Sequence, residues 1–291
     1  MPLQNTNAIV TGASMGLGKA IAEAFLKAGA NVFLCARTEA PLLETQAELS
    51  EKFPERKVFA QPCDVSNETQ VSELFSEASR AFRDIHVLVL NAGVYGPMGP
   101  IETVDLTEWR RAMDINLYGV LLPCRSAIPH FKAANKGKIV VLSGGGATNP
   151  LPNISAYAAS KAAVIRLIET LAIECKDTHI DINGIAPGAL ATRMMDEVLA
   201  AGPEKVGQEF FEKNVAWKQN GGTPLELAAE VAVYLASRAS DGITGKLISA
   251  PWDPWKTLHE HLEDLQKTDV YTLRRITPKD RGMTWDPKAN L

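Results

Sequence analysis

Short, continuous apolar runs alternate along the chain with longer stretches in which apolar residues recur at helical spacing. The runs predict strands at 8–10, 31–36, 58–60, 87–90, 138–142, 181–185 and 246–249. Between them the pattern predicts helices over about 18–29, with Gly29 closing the first as a C-cap, and over 40–52, 68–82, 106–133, 156–175 and 225–236. A strand that is apolar at every position buries both of its faces, which is the situation of a parallel sheet covered by helices on each side. The expected class is therefore α/β: one doubly wound domain over 1–250, a parallel seven-stranded sheet flanked by helices, with ligands outside the carboxyl ends of the strands. No internal repeat or low-complexity segment interrupts it, and 251–291 follows as a C-terminal extension.

Composition narrows the class. Of 291 residues, 46% are hydrophobic and 22% charged, an ordinary globular balance in a chain long enough to bury a full core without staples. The formal net charge of −4, with both signs interspersed, offers no basic face to nucleic acid or to an anionic membrane. Cys35, Cys63, Cys124 and Cys175 form no C-x-x-C pair and three of them sit in or beside apolar runs, so buried free thiols in a reducing compartment are expected. Met1-Pro2-Leu3-Gln4 leads straight into strand-like sequence without the pattern of a secretory signal. No apolar run is long enough to span a bilayer, and the cytoplasm is the expected location.

Directly after the first predicted strand comes Thr11-Gly12-Ala13-Ser14-Met15-Gly16-Leu17-Gly18. Glycines there let the backbone turn sharply and approach a pyrophosphate, and the helix that follows presents free N–H groups and its positive dipole end. The T-G-x-x-x-G-x-G spacing differs from the usual G-x-G-x-x-G and resembles the short-chain dehydrogenase/reductase family. Further motifs of that family appear in order. Asp64, in Cys63-Asp64-Val65, stands where the family's aspartate contacts adenine, and Asn91-Ala92-Gly93 closes the fourth predicted strand. Asn116 lies within Met113-Asp114-Ile115-Asn116-Leu117, and Tyr157-Ala158-Ala159-Ser160-Lys161 matches Y-x-x-x-K. Asn183 precedes Pro187-Gly188, and Thr192 follows them.

The resemblance covers roughly residues 5–250. It implies a Rossmann-like fold and an oxidoreductase that interconverts a carbonyl and an alcohol by hydride transfer. It implies a cofactor site made by Gly12, Ser14, Met15, Gly16, Leu17, Gly18, Arg37, Asp64, Val65, Asn91, Ala92, Gly93, Tyr157, Lys161, Pro187, Gly188 and Thr192. The catalytic set it implies is Tyr157, Lys161, Asn116 and Ser143, with a small-molecule substrate and a homodimer or homotetramer.

The chemistry needs these residue types. Hydride addition to a ketone creates an alkoxide that must receive a proton as its charge develops. A free phenol, with a pKa of about 10, is poorly matched to neutral pH, and a nearby ammonium lowers it by favouring phenolate. Tyr157 and Lys161 are four apart and so share a helix face. By resemblance Lys161 also holds the nicotinamide ribose, and Asn116 kinks its helix and binds a water that relays protons to Lys161. The family places a serine thirteen residues before the tyrosine, at 157 − 13 = 144, but residue 144 is glycine here and Ser143 lies one position earlier. Two readings stand: the glycines at 144–146 let the loop shift so that Ser143 serves, or the position is vacant, because neighbouring strand residues face opposite ways.

Relatives that prefer NAD carry an acid at the position of Ala36; here Arg37 follows instead, and a guanidinium suits a 2′-phosphate. NADP(H) is expected to be preferred and NAD(H) admitted, although Met15 stands where some NADP-type relatives have a basic residue. Residues 189–222, with Met194, Met195, Phe210, Phe211 and Trp217, are expected to form a helical substrate lid opposite Tyr95, Pro97 and Met98. No metal is expected, since His259 and His261 are two apart and do not share a helix face. In the extension, Arg274, Arg275, Lys279 and Arg281 are either a solvated charged tail or a contact for an anionic group or a neighbouring subunit. The alternative function is a non-catalytic dinucleotide-binding regulator or redox sensor on the same fold, which the displaced serine supports. A nucleotide-sugar epimerase or dehydratase is a third, with a different glycine spacing and a larger C-terminal domain.

Overall fold

The computed structural model describes residues 1–285. Its strands are β1 (Asn7–Thr11), β2 (Asn31–Ala36), β3 (Val58–Pro62), β4 (Val87–Leu90), β5 (Gly137–Leu142), β6 (Ile180–Ala186) and β7 (Leu247–Ser249). They form one sheet in the order β3-β2-β1-β4-β5-β6-β7, with every pair parallel. The order reverses direction between β1 and β4, which opens a crevice at the carboxyl ends of the strands.

Neighbouring strand residues are buried on opposite faces. Val10, Leu34 and Val89 join one core cluster with α1 (Gly16–Lys27), α2 (Glu39–Lys52) and α10 (Leu225–Ala236). Ile9, Phe33 and Leu88 join the other with α3 (Glu68–Phe82), α5 (Gly119–Ala134) and α6 (Ser155–Glu174). This two-sided burial is the reason the strands read as unbroken apolar runs. All four cysteines are buried and unpaired.

One expectation changes. The helix expected over 106–133 is not one α-helix: α4 (Leu106–Met113) passes through a π-helical turn, Asp114–Tyr118, into α5. One extra residue within a helix barely disturbs the apolar period, so the pattern does not reveal it. The segment expected as a C-terminal extension packs against the domain. Trp255, Leu258 and Leu265, on a 3₁₀ turn (Trp255–His261) and α11 (Leu262–Lys267), are buried in the same core cluster as α1 and α10. The end of the expected extension, 286–291, lies outside the described residues. The stretch 189–222 is helical as expected and carries α7 (Arg193–Ala201), α8 (Pro203–Val206) and α9 (Gln208–Gln219). Among the described residues no helix is long and apolar enough to cross a membrane.

Candidate active site

At the carboxyl end of β1 the chain turns through Gly12 at φ +62°, where a Cβ would lie 2.8 Å from Asn91 Nδ2 and 2.9 Å from Ala92 Cα. Only glycine fits both the conformation and the space. The hydroxyl of Thr11 accepts the N–H groups of Asn91 (3.0 Å) and Ala92 (3.2 Å). Asn91 Nδ2 in turn donates to the carbonyls of Thr11 (3.2 Å) and Gly12 (3.1 Å). The ends of β1 and β4 are thereby locked together beneath the first turn of α1, which has no side-chain cap and keeps its N–H groups open to a ligand. Ser14, Met15, Gly16 and Leu17 line a cleft of about 1600 Å³ along this crevice. Gly18 was expected to touch the cofactor but does not line the cleft. A Cβ there would sit 2.1 Å from the Gly12 carbonyl oxygen, so its role is to let α1 approach the turn.

Arg37, just beyond β2, and Asp64 and Val65, beyond β3, line one end of the cleft with Ala92 and Gly93. Arg37 is exposed, and Asp64 Oδ1 accepts from Ser66 N (3.0 Å) and Ser66 Oγ (2.6 Å). Pro187, Gly188 and Thr192 follow β6 on the opposite wall, where Thr192 Cγ2 comes within 3.7 Å of the space above Gly16. Asn183 does not reach the cleft. It is buried in β6, donating to the Ile243 carbonyl (2.6 Å) and accepting from Lys246 N (3.1 Å).

Tyr157 and Lys161 stand one turn apart on α6, both buried and both lining the cleft, with Lys161 Nζ 5.7 Å from the centre of the tyrosine ring. Lys161 Nζ donates to the Leu142 carbonyl (2.7 Å), which fixes it against the end of β5. Burial lowers the lysine pKa to about 8 and, with a smaller contribution from Tyr95, raises that of the Tyr157 phenol. Burial thus pushes both side chains toward their neutral forms. The Tyr95 ring meets that of Tyr157 edge-on, with centroids 4.7 Å apart.

Asn116 occupies the π-helical turn and is completely buried. Its amide brackets Val94, accepting from Val94 N (2.9 Å) and donating to Val94 O (2.8 Å), and also donates to Ser160 Oγ (3.0 Å). Both amide hydrogens are thus committed to protein, so its side chain has no N–H left for the expected water relay to Lys161. Ser143 lines the cleft and its buried Oγ has no hydrogen-bond partner. The residue that faces the tyrosine is Gly144, where a Cβ would lie 2.0 Å from the Tyr157 hydroxyl.

The remaining walls mix apolar residues with polar ones such as Asn149, Asn214 and Thr223. Met194, Met195, Phe210 and Trp217 line the cleft from α7 and α9, opposite Tyr95; Pro97 lines a smaller side recess with Arg37 and Arg193. Sequence reading missed Thr11, whose only signal was its place at the head of the glycine motif. It also missed Tyr271, Thr272 and Leu273, which line the same cleft from the C-terminal segment and belong to no motif. Arg274 pairs with two carboxylates, Asp269 (2.7 Å) and Asp280 (2.9 Å). Among the described residues no three His, Cys, Asp or Glu side chains group as metal ligands.

Known proteins share this arrangement. The sequence pattern described as short chain dehydrogenase matches residues 6–202. A glucose 1-dehydrogenase of Gluconobacter oxydans is 34% identical over 82% of this chain and 88% of its own length. A 3beta-hydroxysteroid dehydrogenase of Eggerthella lenta is 36% identical over 84% of this chain and 91% of its own. The crystal structure of levodione reductase superposes with a TM-score of 0.78 at 27% identity, covering 85% of this chain and 96% of that one. With the motif order, the sheet order and the relatives in agreement, the chain belongs to the short-chain dehydrogenase/reductase family of NAD(P)-dependent oxidoreductases.

Proposed function

We propose that this oxidoreductase prefers NADP(H) and interconverts a small carbonyl compound and its alcohol, with Tyr157 as general acid and base. The observation that carries the reading is the pairing of Tyr157 and Lys161, buried one turn apart in the cleft that the glycine turn also opens into. The turn suits a pyrophosphate, because Gly12 lets the backbone turn sharply against Asn91 and Ala92 and the start of α1 is uncapped. Bound there, a nicotinamide dinucleotide supplies the hydride donor or acceptor, and its oxidised ring adds a positive charge. In this reading Arg37 pairs with a 2′-phosphate, Asp64 with adenine, and Lys161 with the nicotinamide ribose. Lys161, already held by the Leu142 carbonyl, lowers the cost of phenolate at Tyr157 once a second positive charge offsets desolvation.

Ser143 lies one residue before Gly144, which faces the phenol, and we assign it to the substrate carbonyl because its Oγ is left without a partner at the cleft. A buried hydroxyl without a partner costs about 1–3 kcal/mol, so a substrate oxygen that accepts from it binds at an advantage. A non-catalytic regulator has less support, since the relatives above carry enzyme names.

Tyr157→Phe tests the reading, because it removes the hydroxyl and keeps the ring against Tyr95. Dinucleotide affinity should persist while turnover of a reducible carbonyl falls by about 10²-fold or more. Wild-type turnover in that variant would remove the proton-transfer role from Tyr157.

A further inference from the structure

The phenol of Tyr157 rests on bare backbone. Gly144 has φ −170°, an extended conformation open to any residue, so glycine is called for there by space and not by backbone freedom. A Cβ at 144 would lie 2.0 Å from the Tyr157 hydroxyl and 2.8 Å from its Cζ. Gly146 meets α6 in the same way, where a Cβ would lie 2.6 Å from Ala158 Cα. A serine at 144 would therefore collide with the tyrosine ring.

A second ring bounds the first. Tyr95, half-buried on the loop after β4, meets the Tyr157 ring edge-on with centroids 4.7 Å apart and planes at 61°. Both of its chain neighbours are fixed. Val94 has its N–H and its carbonyl bonded to the Asn116 amide (2.9 and 2.8 Å). Gly96, at φ +74°, lets the loop come down on α4 and α6: a Cβ there would lie 2.6 Å from Ala112 Cβ and 3.5 Å from Ala156 Cβ. Ala156 is the residue before Tyr157. Trp109 Nε1 donates to Ser155 Oγ (3.0 Å) and joins α4 to the first turn of α6. The backbone that carries Tyr95 is thus braced against the helix that carries Tyr157.

We propose that Tyr95 is a positioning residue for proton transfer: its ring, with the bare backbone of Gly144, fixes where the Tyr157 hydroxyl sits. This rests on the reading of Tyr157 as general acid and base. Gly144 then belongs to the seat of the phenol, and the serine missing there is matched by an aromatic ring from another element. Displacing a proton donor by about 1 Å is enough to cost up to about a hundredfold in rate, so a held phenol bears directly on turnover.

Two measurements test it. In protein made with ring-labelled tyrosine, carbon NMR reads the rotation of the Tyr157 ring, whose signals are those that Tyr157→Phe removes. A held ring gives separate signals for its two edges, as expected in wild type. They should merge in Tyr95→Leu, which keeps apolar bulk without a ring, and separate again in Tyr95→Phe. Merged signals in wild type, or separate ones in Tyr95→Leu, overturn the proposal and leave the role of Tyr157 standing. On a carbonyl compound that the wild type reduces, Tyr95→Leu should lower kcat and kcat/KM together by about tenfold or more, and Tyr95→Phe should recover most of that loss. A raised KM at unchanged kcat overturns the proposal, since Tyr95 would then only bind substrate. Gly144→Ser should also lower kcat although it adds a hydroxyl; a faster enzyme would overturn the seat. Full turnover in Tyr157→Phe would remove the reading beneath, and the proposal with it.

Discussion

At the scale of single residues the cleft is governed by the cost of burying charge. Lys161 is the clearest case: burial lowers its pKa from 10.5 to about 8. Between those values the unfolded chain holds a proton that the folded chain has released, so stability rises with pH across that window. Below about 8 the whole penalty applies, on the order of 3 kcal/mol at about 1.4 kcal/mol per pKa unit. Lys161→Met should therefore melt at a higher temperature than wild type at pH 7, with the gap closing as the pH approaches 10.5. Thermal melts across that range check it, and a less stable variant at pH 7 would show that the bond to Leu142 outweighs desolvation. Arg37 makes the opposite use of charge, exposed at the end of β2 with no acid at Ala36 to oppose a phosphate. Arg37→Ala should narrow the preference for NADPH over NADH by about tenfold to a hundredfold, the worth of one charge-assisted hydrogen bond. Paired titrations decide it; equal affinities in the wild type would remove the preference itself.

At the scale of elements, the junction between α4 and α5 shows how one polar side chain reshapes a helix. The π-helical turn Asp114–Tyr118 turns Asn116 inward, where its amide satisfies both backbone groups of Val94 and reaches Ser160 on α6. That ties the loop after Asn91-Ala92-Gly93 to the helix that carries Tyr157. Asn116→Ala leaves the Val94 N–H and carbonyl without partners, at about 1–3 kcal/mol each. Denaturant unfolding should show a clear loss of stability alongside any loss of turnover. If stability were unchanged and only turnover fell, Asn116 would be a relay and not a brace. The motif around Asn116 was legible in the sequence, whereas the π turn and the partners of its amide were not, because both depend on residues 22 and 44 positions away.

At the scale of the whole molecule, the faces of α5 and α6 bear on assembly. Val164 on α6 is fully buried in the protein's own core, whereas Ile173 is 70% exposed and Tyr118 50% exposed. We expect these helices to pair with their copies across a two-fold axis, giving a homodimer or homotetramer. Light scattering at micromolar concentration checks this, and Ile173→Glu should shift the population toward monomer. A monomeric wild type would reject it. The sequence by itself determined the parallel sheet, the glycine turn and the tyrosine–lysine pair, because each is local: an apolar run, a turn that admits only glycine, two side chains one helical turn apart. The tertiary structure decided what depends on distant neighbours. It placed Gly144, and not Ser143, against the phenol, turned the pKa of Tyr157 upward through burial, and folded Tyr271–Leu273 into the cleft. No local period encodes these, since the hydrogen bond from Leu273 N to the Glu169 carboxylate joins residues 104 positions apart and desolvation exists only once the chain has closed around a group.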